Sequence, residues 1–370
     1  MKTKAAVLWG PGGKWEVEEL ELDEVRAGEV LIRFVAAGLC HSDEHLRHGD
    51  IVPRFPLVGG HEGAGIIEAV GPGVSRVKVG DHVVCSFLPS CGHCRWCSTG
   101  QQNMCDTSAN ILVGDRPDGS FRFHGKGQDL GAMCFLGTFA QHSVIPEGSC
   151  VVVDKDIPLE VAVLVGCGVP TGWGSSVYAA EVKPGETVVI YGIGGIGINA
   201  VQGAAHAGAR HVIAVDPLAN KREKAEEFGA THAVASAEDA QNLVSQLTRG
   251  VGADKSIVTV DVVDEAVVSA AFNVTRKGGT TVITGLADPS KQTIHLSGAV
   301  MVLFQKTVKG TLFGNSNPLF DINNLLGLYR DGKLKLDELI TKKYSLNEIN
   351  QGYDDLIAGK NIRGVMIHEH

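Results

Sequence analysis

Short apolar runs separated by turn residues dominate the first half of the chain. The runs include KAAVLW, EVLIRFVAAGL, GAGIIEAV, DHVVCS and FAQHSVI, and turns such as GPG and PEG lie between them. Apolar runs of this length, bounded by glycine and proline, are typical of β-strands. We therefore predict that residues 1–168 form an all-β region.

The pattern changes at about Lys183. From there, β-branched runs such as TVVIYG, HVIAVD and TTVITG alternate with the helical stretches GINAVQGAAHAGA, NKREKAEEFGA and EDAQNLVSQLTRG. This alternation predicts βαβ units around a parallel sheet. The last stretches, LFDINNLLGLYRDGKLKLDELI and LNEINQGYDDLIAGK, are predicted to be helical and to pack against the first half.

The length of the chain favours two domains. A single hydrophobic core stops growing near about 250 to 300 residues, and this chain has 370. We place one domain at residues 1–168 and 312–370, and the other at residues 169–311. No apolar run approaches the ~20 residues of a membrane-spanning helix. The N-terminus reads as a strand rather than a secretory signal, so a cytoplasmic protein is expected.

Charge and cysteine content narrow the chemistry. The net charge of -9 does not suit a nucleic-acid groove or an anionic membrane surface, because both require basic patches. A small-molecule partner fits better. Nine cysteines are an odd number for a disulfide framework, and four of them fall between residues 91 and 105. In a reducing compartment this crowding favours metal binding.

A glycine-rich turn follows the first strand of the second region. Gly192, Gly194 and Gly197 form G-x-G-x-x-G between an apolar strand and a helix, with Gly195 inside the turn. The three motif glycines permit a tight turn, close approach to a pyrophosphate and close helix packing, and the helix N-terminus stabilises negative charge. We predict a dinucleotide site. A turn that binds nothing, or an FAD or S-adenosylmethionine site, stays the alternative.

Asp216 indicates which dinucleotide is bound. It ends the next strand about 20 residues past the glycines, where a carboxylate hydrogen-bonds the adenosine ribose and repels a 2′-phosphate. NAD is therefore favoured over NADP. Lys221 follows in the same region, and it could reach the ribose, hold a phosphate or be a solvated charge on a helix.

The sequence contains two sets of candidate metal ligands. The first is compact, with the spacing C-x2-C-x2-C-x7-C, and consists of Cys91, Cys94, Cys97 and Cys105. Four thiolates in one loop are typical of a closed structural zinc site, although free or disulfide-linked cysteines are the alternative. The second set is dispersed over GLCHSDEH, GGHEGAG and GCGVPTG and consists of Cys40, His61, Glu62 and Cys167. Spacing alone does not join these residues into one site.

These motifs, in this order and over essentially the whole chain, resemble the zinc-containing medium-chain alcohol dehydrogenase family. The resemblance implies an α/β protein with a GroES-like, β-rich catalytic domain and a Rossmann doubly wound parallel sheet. Within the family the chain is most similar to the actinobacterial nicotinoprotein alcohol dehydrogenases. These keep NAD tightly bound and are assayed with the artificial acceptor N,N-dimethyl-4-nitrosoaniline. The likeness includes the segment KAAVLWGPGGKWEVEELEL.

The resemblance implies a role for each matching residue in the zinc sites. Cys40, His61 and Cys167 would ligate a catalytic zinc with one open position, and the four-cysteine loop would hold a structural zinc. Glu62 would lie behind the catalytic metal, where it can exchange with a ligand. Asp43 would orient the zinc-binding histidine.

Further roles concern the proton and the cofactor. Ser42 and His45 match a proton relay. Thr171 matches a nicotinamide contact and Arg363, in NIRG, a pyrophosphate contact. His41 stands where many relatives carry an arginine at the pyrophosphate.

The expected reaction is hydride transfer between a primary alcohol/aldehyde pair and NAD. The NAD is either bound tightly, as in the nicotinoproteins, or exchanged with solution. An external electron acceptor and a homo-oligomer joined near residues 300–314 are further expectations. Two alternatives stay open. One is a dehydrogenase of the formaldehyde adduct of glutathione or mycothiol. The other is a redox sensor that binds zinc and NAD without turnover.

Overall fold

The computed structural model describes residues 1–287 and 293–370. Contacts between Cα atoms divide the chain into two compact units. Unit 1 comprises Met1–Cys167 and Asn317–His370, and unit 2 comprises Gly168–Ser316. The unit boundaries lie near the domain boundaries expected from the sequence, and the C-terminal stretch belongs to the same unit as the first half.

The strands are numbered in chain order: β1 (Lys2–Leu8), β2 (Glu16–Leu22), β3 (Glu29–Gly38), β4 (Leu57–Val58), β5 (Gly63–Val70), β6 (His82–Cys85), β7 (Phe123–Gly125), β8 (Gln128–Ala132), β9 (His142–Pro146), β10 (Cys150–Val152), β11 (Thr187–Tyr191), β12 (His211–Val215), β13 (His232–Val234), β14 (Ala253–Val258), β15 (Val262–Val263), β16 (Thr275–Ile283), β17 (Leu286–Ala287), β18 (Thr307–Gly310), β19 (Ile340–Ser345) and β20 (Arg363–Ile367). The α-helices are α1 (His41–His48), α2 (Arg95–Ser98), α3 (Leu159–Ala162), α4 (Gly168–Gly174), α5 (Gly197–His206), α6 (Ala219–Glu227), α7 (Ala237–Leu247), α8 (Glu265–Val274), α9 (Gly298–Leu303), α10 (Pro318–Arg330) and α11 (Ile349–Ile357).

Unit 1 contains a closed barrel and a second sheet. The barrel has the order β1-β2-β7-β8-β4, and the sheet has the order β10-β6-β5-β3-β20-β19 with β9 also paired to β3. Inward-facing apolar side chains, among them Val7, Leu20, Phe123 and Leu130, fill the barrel. The antiparallel register of β3 and β5 pairs Ala37 with Gly63, so the end of β3 lies beside the start of β5.

Unit 2 is built around a parallel sheet with the order β13-β12-β11-β14-β16-β18. The neighbouring strands β11 and β12 are apolar and buried along almost their whole length, as expected for strands covered on both faces. Val189, Ile213 and Val258 pack with Val268 and Ala271 of α8 in this core. The predicted α/β class with a parallel sheet is confirmed.

Two predictions about local structure were wrong. The first half is not all-β, since α1, α2 and α3 interrupt it; these helices are short and lack a long apolar period, so the sequence pattern does not reveal them. The stretch 319–340 is not one helix either. α10 ends at Arg330, Gly332 has φ of 69°, and the following residues lead into β19, which pairs in parallel with β20.

Within the described part of the chain, no helix combines the length and the apolar character needed to cross a membrane.

Candidate metal centre and dinucleotide site

The four dispersed residues of the second ligand set converge in unit 1. The ligand atoms of Cys40, His61, Glu62 and Cys167 all lie within 4.8 Å of one another, and all four residues are buried. Sheet pairing explains the convergence, because Cys40 follows β3 and the pair His61–Glu62 precedes its antiparallel neighbour β5. Two sulfurs, an imidazole nitrogen and a carboxylate oxygen are ligands that zinc prefers.

The segment that carries Cys167 comes close to β6 because Gly166 has no side chain. A Cβ atom at Gly166 would lie 2.8 Å from the carbonyl oxygen of Cys85, which β6 places opposite Gly63. A larger residue would push the segment away from the sheet. This glycine therefore helps to bring Cys167 close to Cys40 and His61, the other two ligand candidates.

Electrostatics favour an anionic thiolate at this site. A hydrogen bond with Cys167 holds the pKa of Cys40 well below its usual range, and nearby His61 acts in the same direction. The pKa of Cys167 is correspondingly raised by Cys40 and by burial. A bound cation would favour the thiolate form of both cysteines.

Asp43 contacts the zinc-ligand candidate His61 at the ring nitrogen Nδ1. Its Oδ1 accepts a hydrogen bond of 3.0 Å from the backbone N–H of Gly60, and its Oδ2 lies 3.1 Å from Nδ1 of His61. Burial lowers the pKa of His61, but the charges of Asp43 and Cys40 outweigh burial and raise it. The contact at Nδ1 leaves Nε2 as the nitrogen suited to a metal.

Arg363 lies in this cluster as well. Its Nη2 donates a hydrogen bond to Oε2 of Glu62, and both side chains are buried. Burial raises the pKa of Glu62 although Arg363 opposes it. Oε1 of Glu62 is buried and has no hydrogen-bond partner among the described residues. The family resemblance implied a pyrophosphate contact for Arg363, whereas in this structure its guanidinium binds the carboxylate of Glu62.

The two relay candidates occupy α1. Ser42 Oγ lies 3.6 Å from Cys40 Sγ, and His45 Nδ1 lies 2.8 Å from Oδ2 of Asp50. His41, at the start of the same helix, is partly exposed. Ser42 is therefore next to the candidate ligand Cys40, and His45 contacts the carboxylate of Asp50.

Three residues near the site were not found from the sequence. Asp50 also contacts His48, with Oδ1 3.0 Å from Nδ1, and the ring of Phe87 packs edge-on against His61 with centroids 5.7 Å apart. The segment HLRHGD held a signal for the first two, since it has two histidines three residues apart before a glycine and an aspartate. Nothing in the sequence around Phe87 indicates its position.

The four-cysteine loop forms the second cluster. The sulfur atoms of Cys91, Cys94, Cys97 and Cys105 all lie within 4.8 Å of one another. The backbone N–H groups of Cys94 and Cys91 donate to the sulfurs of Cys91 and Cys105, both at 3.3 Å. Backbone hydrogen bonds, first from Cys97, lower the pKa of Cys94 to about 6. Four thiols with N–H donors suit a closed tetrahedral zinc site.

The glycine turn of unit 2 has the space that a dinucleotide requires. Gly192 has φ of 88°, and a Cβ at Gly197 would lie 1.8 Å from the carbonyl oxygen of Gly192, whereas a Cβ at Gly194 would meet nothing within 4 Å. The first and third glycines are thus required by the fold. The second leaves open space at the N-terminus of α5, next to Gly195. These are the positions where a phosphate approaches backbone N–H groups.

The remaining cofactor candidates of unit 2 lie near this turn. Asp216 accepts hydrogen bonds from the N–H groups of Ile193 at 2.8 Å and Leu218 at 2.9 Å. Lys221 is buried on α6, and burial lowers its pKa although Asp216 opposes the shift. Thr171 lies on α4, and its neighbour Gly172 packs so closely that a Cβ would be 2.0 Å from the carbonyl oxygen of Ile196. The structure thus gathers the unit 2 candidates around one turn.

Comparisons with known proteins agree with this geometry. Residues 26–155 match the family model of the alcohol dehydrogenase GroES-like domain, and residues 195–326 match that of the zinc-binding dehydrogenases. The NDMA-dependent alcohol dehydrogenase of Amycolatopsis methanolica is 66% identical, with 100% of this chain and 99% of the relative covered.

Two solved structures share the fold over the full length of both chains. An alcohol dehydrogenase zinc-binding domain protein from Burkholderia ambifaria has a TM-score of 0.94 at 32% identity, with 100% of each chain covered. The benzyl alcohol dehydrogenase of Acinetobacter calcoaceticus has a TM-score of 0.93 at 30% identity, again with 100% of each chain covered. This chain therefore belongs to the zinc-dependent medium-chain alcohol dehydrogenase family.

Proposed function

We propose that this protein oxidises primary alcohols to aldehydes, and reduces the aldehydes in the reverse direction, by hydride transfer to and from NAD. The convergence of Cys40, His61, Glu62 and Cys167 within 4.8 Å in a buried setting carries the proposal. These residues come from three separate segments of the sequence, and a fold that needed only a core would not place four ionisable groups together there. Membership of the family supports the same reaction.

The buried cluster fits a catalytic zinc. Cys40, His61 and Cys167 would supply two sulfurs and one nitrogen, which leaves one position of a tetrahedron for the substrate oxygen. Oε1 of Glu62 is a buried acceptor without a partner among the described residues, as expected of a group that can approach a metal. The four-cysteine loop would hold a second, structural zinc.

The glycine turn fits NAD. Gly192, Gly194 and Gly197 would face the pyrophosphate, and Asp216 would accept hydrogen bonds from the ribose hydroxyls while its charge disfavours a 2′-phosphate. Two N–H donors already orient the Asp216 carboxylate. Lys221 would lie beside the same ribose, and Thr171 beside the nicotinamide.

Oxidation of an alcohol requires the loss of a proton from oxygen and a hydride from carbon. When bound, zinc acts as a Lewis acid on the alcohol oxygen and NAD accepts the hydride. Ser42 would accept the alcohol proton at its hydroxyl oxygen and release its own hydroxyl proton. His45 would take up the released proton and transfer it toward solvent. The apolar ring of Phe87, beside His61, would limit water at the reacting atoms.

The relative from Amycolatopsis methanolica is named for its dependence on NDMA, and this likeness supports tightly held NAD with reoxidation by an external acceptor. Native mass spectrometry of the purified protein tests cofactor retention. We expect two zinc ions and one NAD per subunit, and the same spectrum reports the number of subunits. A spectrum that shows zinc but no bound nucleotide would indicate that the enzyme exchanges NAD with the solution.

The reaction is tested by incubating the protein with an aliphatic or aryl primary alcohol, NAD and N,N-dimethyl-4-nitrosoaniline. We expect the dye to bleach without any added thiol. A requirement for glutathione or mycothiol together with formaldehyde would indicate the thiol-adduct dehydrogenase instead. Retained zinc and NAD without turnover of any alcohol would indicate the non-catalytic sensor.

A further inference from the structure

Asp50 holds two histidines with its two carboxylate oxygens. Oδ2 lies 2.8 Å from Nδ1 of His45, and Oδ1 lies 3.0 Å from Nδ1 of His48. The side chain of His45 is 11% exposed, and that of His48 is 74% exposed. The carboxylate of Asp50 thus contacts both the relay candidate His45 and the solvent-exposed imidazole of His48.

The backbone after α1 fixes this arrangement. The N–H groups of Gly49, Asp50 and Ile51 donate to the carbonyl oxygen of His45 at 3.1, 2.9 and 3.2 Å. Gly49 has φ of 96°, which reverses the chain at the helix end. The turn therefore brings the Asp50 side chain back over the last turn of the helix, onto the two rings.

Helix stability does not explain a carboxylate at this position. The C-terminus of a helix carries partial negative charge, so an aspartate there is unfavourable unless cations offset it. The hydrogen bonds of His45, and next those of His48, hold the pKa of Asp50 below its usual range. These two histidines are the titratable groups that act on the carboxylate, and the group stays ionised near neutral pH.

We propose that Asp50 is a positioning residue that fixes His45 as the tautomer with hydrogen on Nδ1, so that Nε2 accepts the proton in the relay. The inference rests on the proposed function, in which His45 takes the alcohol proton from Ser42. The alcohol O–H bond breaks, and a new N–H bond forms at Nε2. The hydrogen on Nδ1 stays on the ring and forms a hydrogen bond to Asp50. The proton on Nε2 is released to water. Asp50 itself takes no proton, and no electrons are transferred in this step.

The Asp50–His45 contact predicts a spectroscopic signature. In the wild-type holoenzyme labelled with ¹⁵N-histidine, the His45 signals, assigned by their loss in His45→Gln, should report hydrogen on Nδ1. In Asp50→Ala we expect the ring to shift toward the tautomer with hydrogen on Nε2. The rate constant of hydride transfer in a single turnover should fall about tenfold. This is less than the roughly 100-fold or more that a positioned acid–base group itself supplies, because water can bypass a relay. Asp50→Asn should lie between the two.

Glu44 provides a matched control on the same helix, because its carboxylate pairs with Arg47 at 2.7 and 2.9 Å. Glu44→Ala should leave both the tautomer and the rate as in the wild type. A His45 tautomer that is the same in Asp50→Ala and the wild type would overturn the inference, even if the rate fell. Failure of the proposed function would appear differently, as a wild-type protein that transfers no hydride from any alcohol.

Discussion

Nδ1 of His61 lies 3.1 Å from Oδ2 of Asp43, and both side chains are buried. The contact leaves the other ring nitrogen to face a metal ion, and the negative charge would make that nitrogen a better donor to a cation. The same charge raises the pKa of His61 against the effect of burial. Protons and metal therefore compete for His61, and metal binding should weaken as the solution becomes more acidic.

Replacement of Asp43 by asparagine tests this relationship. The amide keeps the size of the side chain but removes its charge, so we expect zinc affinity at this site to fall about 10- to 100-fold. Competition with a chelator of known affinity measures the loss. Asp81→Asn is the matched control, since Asp81 is also buried and accepts a 2.9 Å hydrogen bond from the N–H of Lys78. Equal zinc affinity in the two variants would contradict a role of Asp43 in the metal site.

The four-cysteine loop should contribute mainly to stability. In Cys91→Ser we expect the loss of one zinc ion per subunit and a lower thermal midpoint, because a structural zinc site contributes its binding energy to folding. Metal analysis and calorimetry measure the two effects. Cys150→Ser is the control, since Cys150 is buried but belongs to neither cluster. It should keep both zinc ions. Full zinc content in Cys91→Ser would refute the assignment.

Asp216 should control the choice between NAD and NADP. In Asp216→Ser the charge that repels a 2′-phosphate is absent, so the ratio of NADP to NAD affinity should rise about tenfold, which corresponds to about 1.4 kcal/mol. Fluorescence titration of protein freed of nucleotide measures both affinities. Asp239→Ser, at an exposed position on α7, should leave the ratio unchanged. An unchanged ratio of NADP to NAD affinity in Asp216→Ser would contradict a contact between Asp216 and the ribose.

The C-terminal part of unit 1 contains a carboxylate whose effect on stability depends on pH. Asp355 accepts hydrogen bonds from Lys342 at 2.7 Å, Lys360 at 3.0 Å and the Tyr344 hydroxyl at 2.9 Å. These bonds, first that from Lys342, hold its pKa well below the usual range. Since the folded-state pKa is depressed, the stabilisation is present above the unfolded-state pKa of about 3.9 and is lost as the pH falls below it.

Asp355→Asn should therefore lower the thermal midpoint at neutral pH, and its difference from the wild type should shrink in acid. Thermal unfolding followed by circular dichroism from pH 7 downward measures the difference. Asp354→Asn changes the exposed neighbouring carboxylate and should have little effect at any pH. A difference for Asp355→Asn that stays constant, or grows, as the pH falls would contradict the assigned ion pairs.

Site residues that lie within one loop or one strand–helix–strand unit could be predicted from the sequence. The spacing from Cys91 to Cys105 lies within one loop, and the positions of Gly192 and Asp216 follow from a single strand–helix–strand unit. Each of these signals depends on neighbouring residues only. The parallel sheet of unit 2 was predictable for the same reason, because each strand and its helix have their own apolar pattern.

Features that depend on packing between distant segments could not be derived in this way. The pairing of β3 with β5 and the close fit of Gly166 against Cys85 bring together Cys40, His61 and Cys167. From the sequence, only the family resemblance indicated that these three residues form one site. The stretch between Arg330 and β19 mixes charged and apolar residues at a spacing typical of a helix, so this irregular connection was mistaken for a continuation of α10. Asp50 contacts His45 and His48 across a helix end, so the spacing of the two histidines in HLRHGD indicates a cluster but not which ring atoms meet the carboxylate.

Zinc content of the Cys40→Ala variant tests the central claim, that Cys40, His61 and Cys167 hold a catalytic zinc. Plasma mass spectrometry on desalted protein should find two zinc ions per subunit in the wild type. It should find one in Cys40→Ala, with an unchanged circular dichroism spectrum and no alcohol turnover. Two zinc ions in the variant, or alcohol turnover at the wild-type rate, would contradict the account.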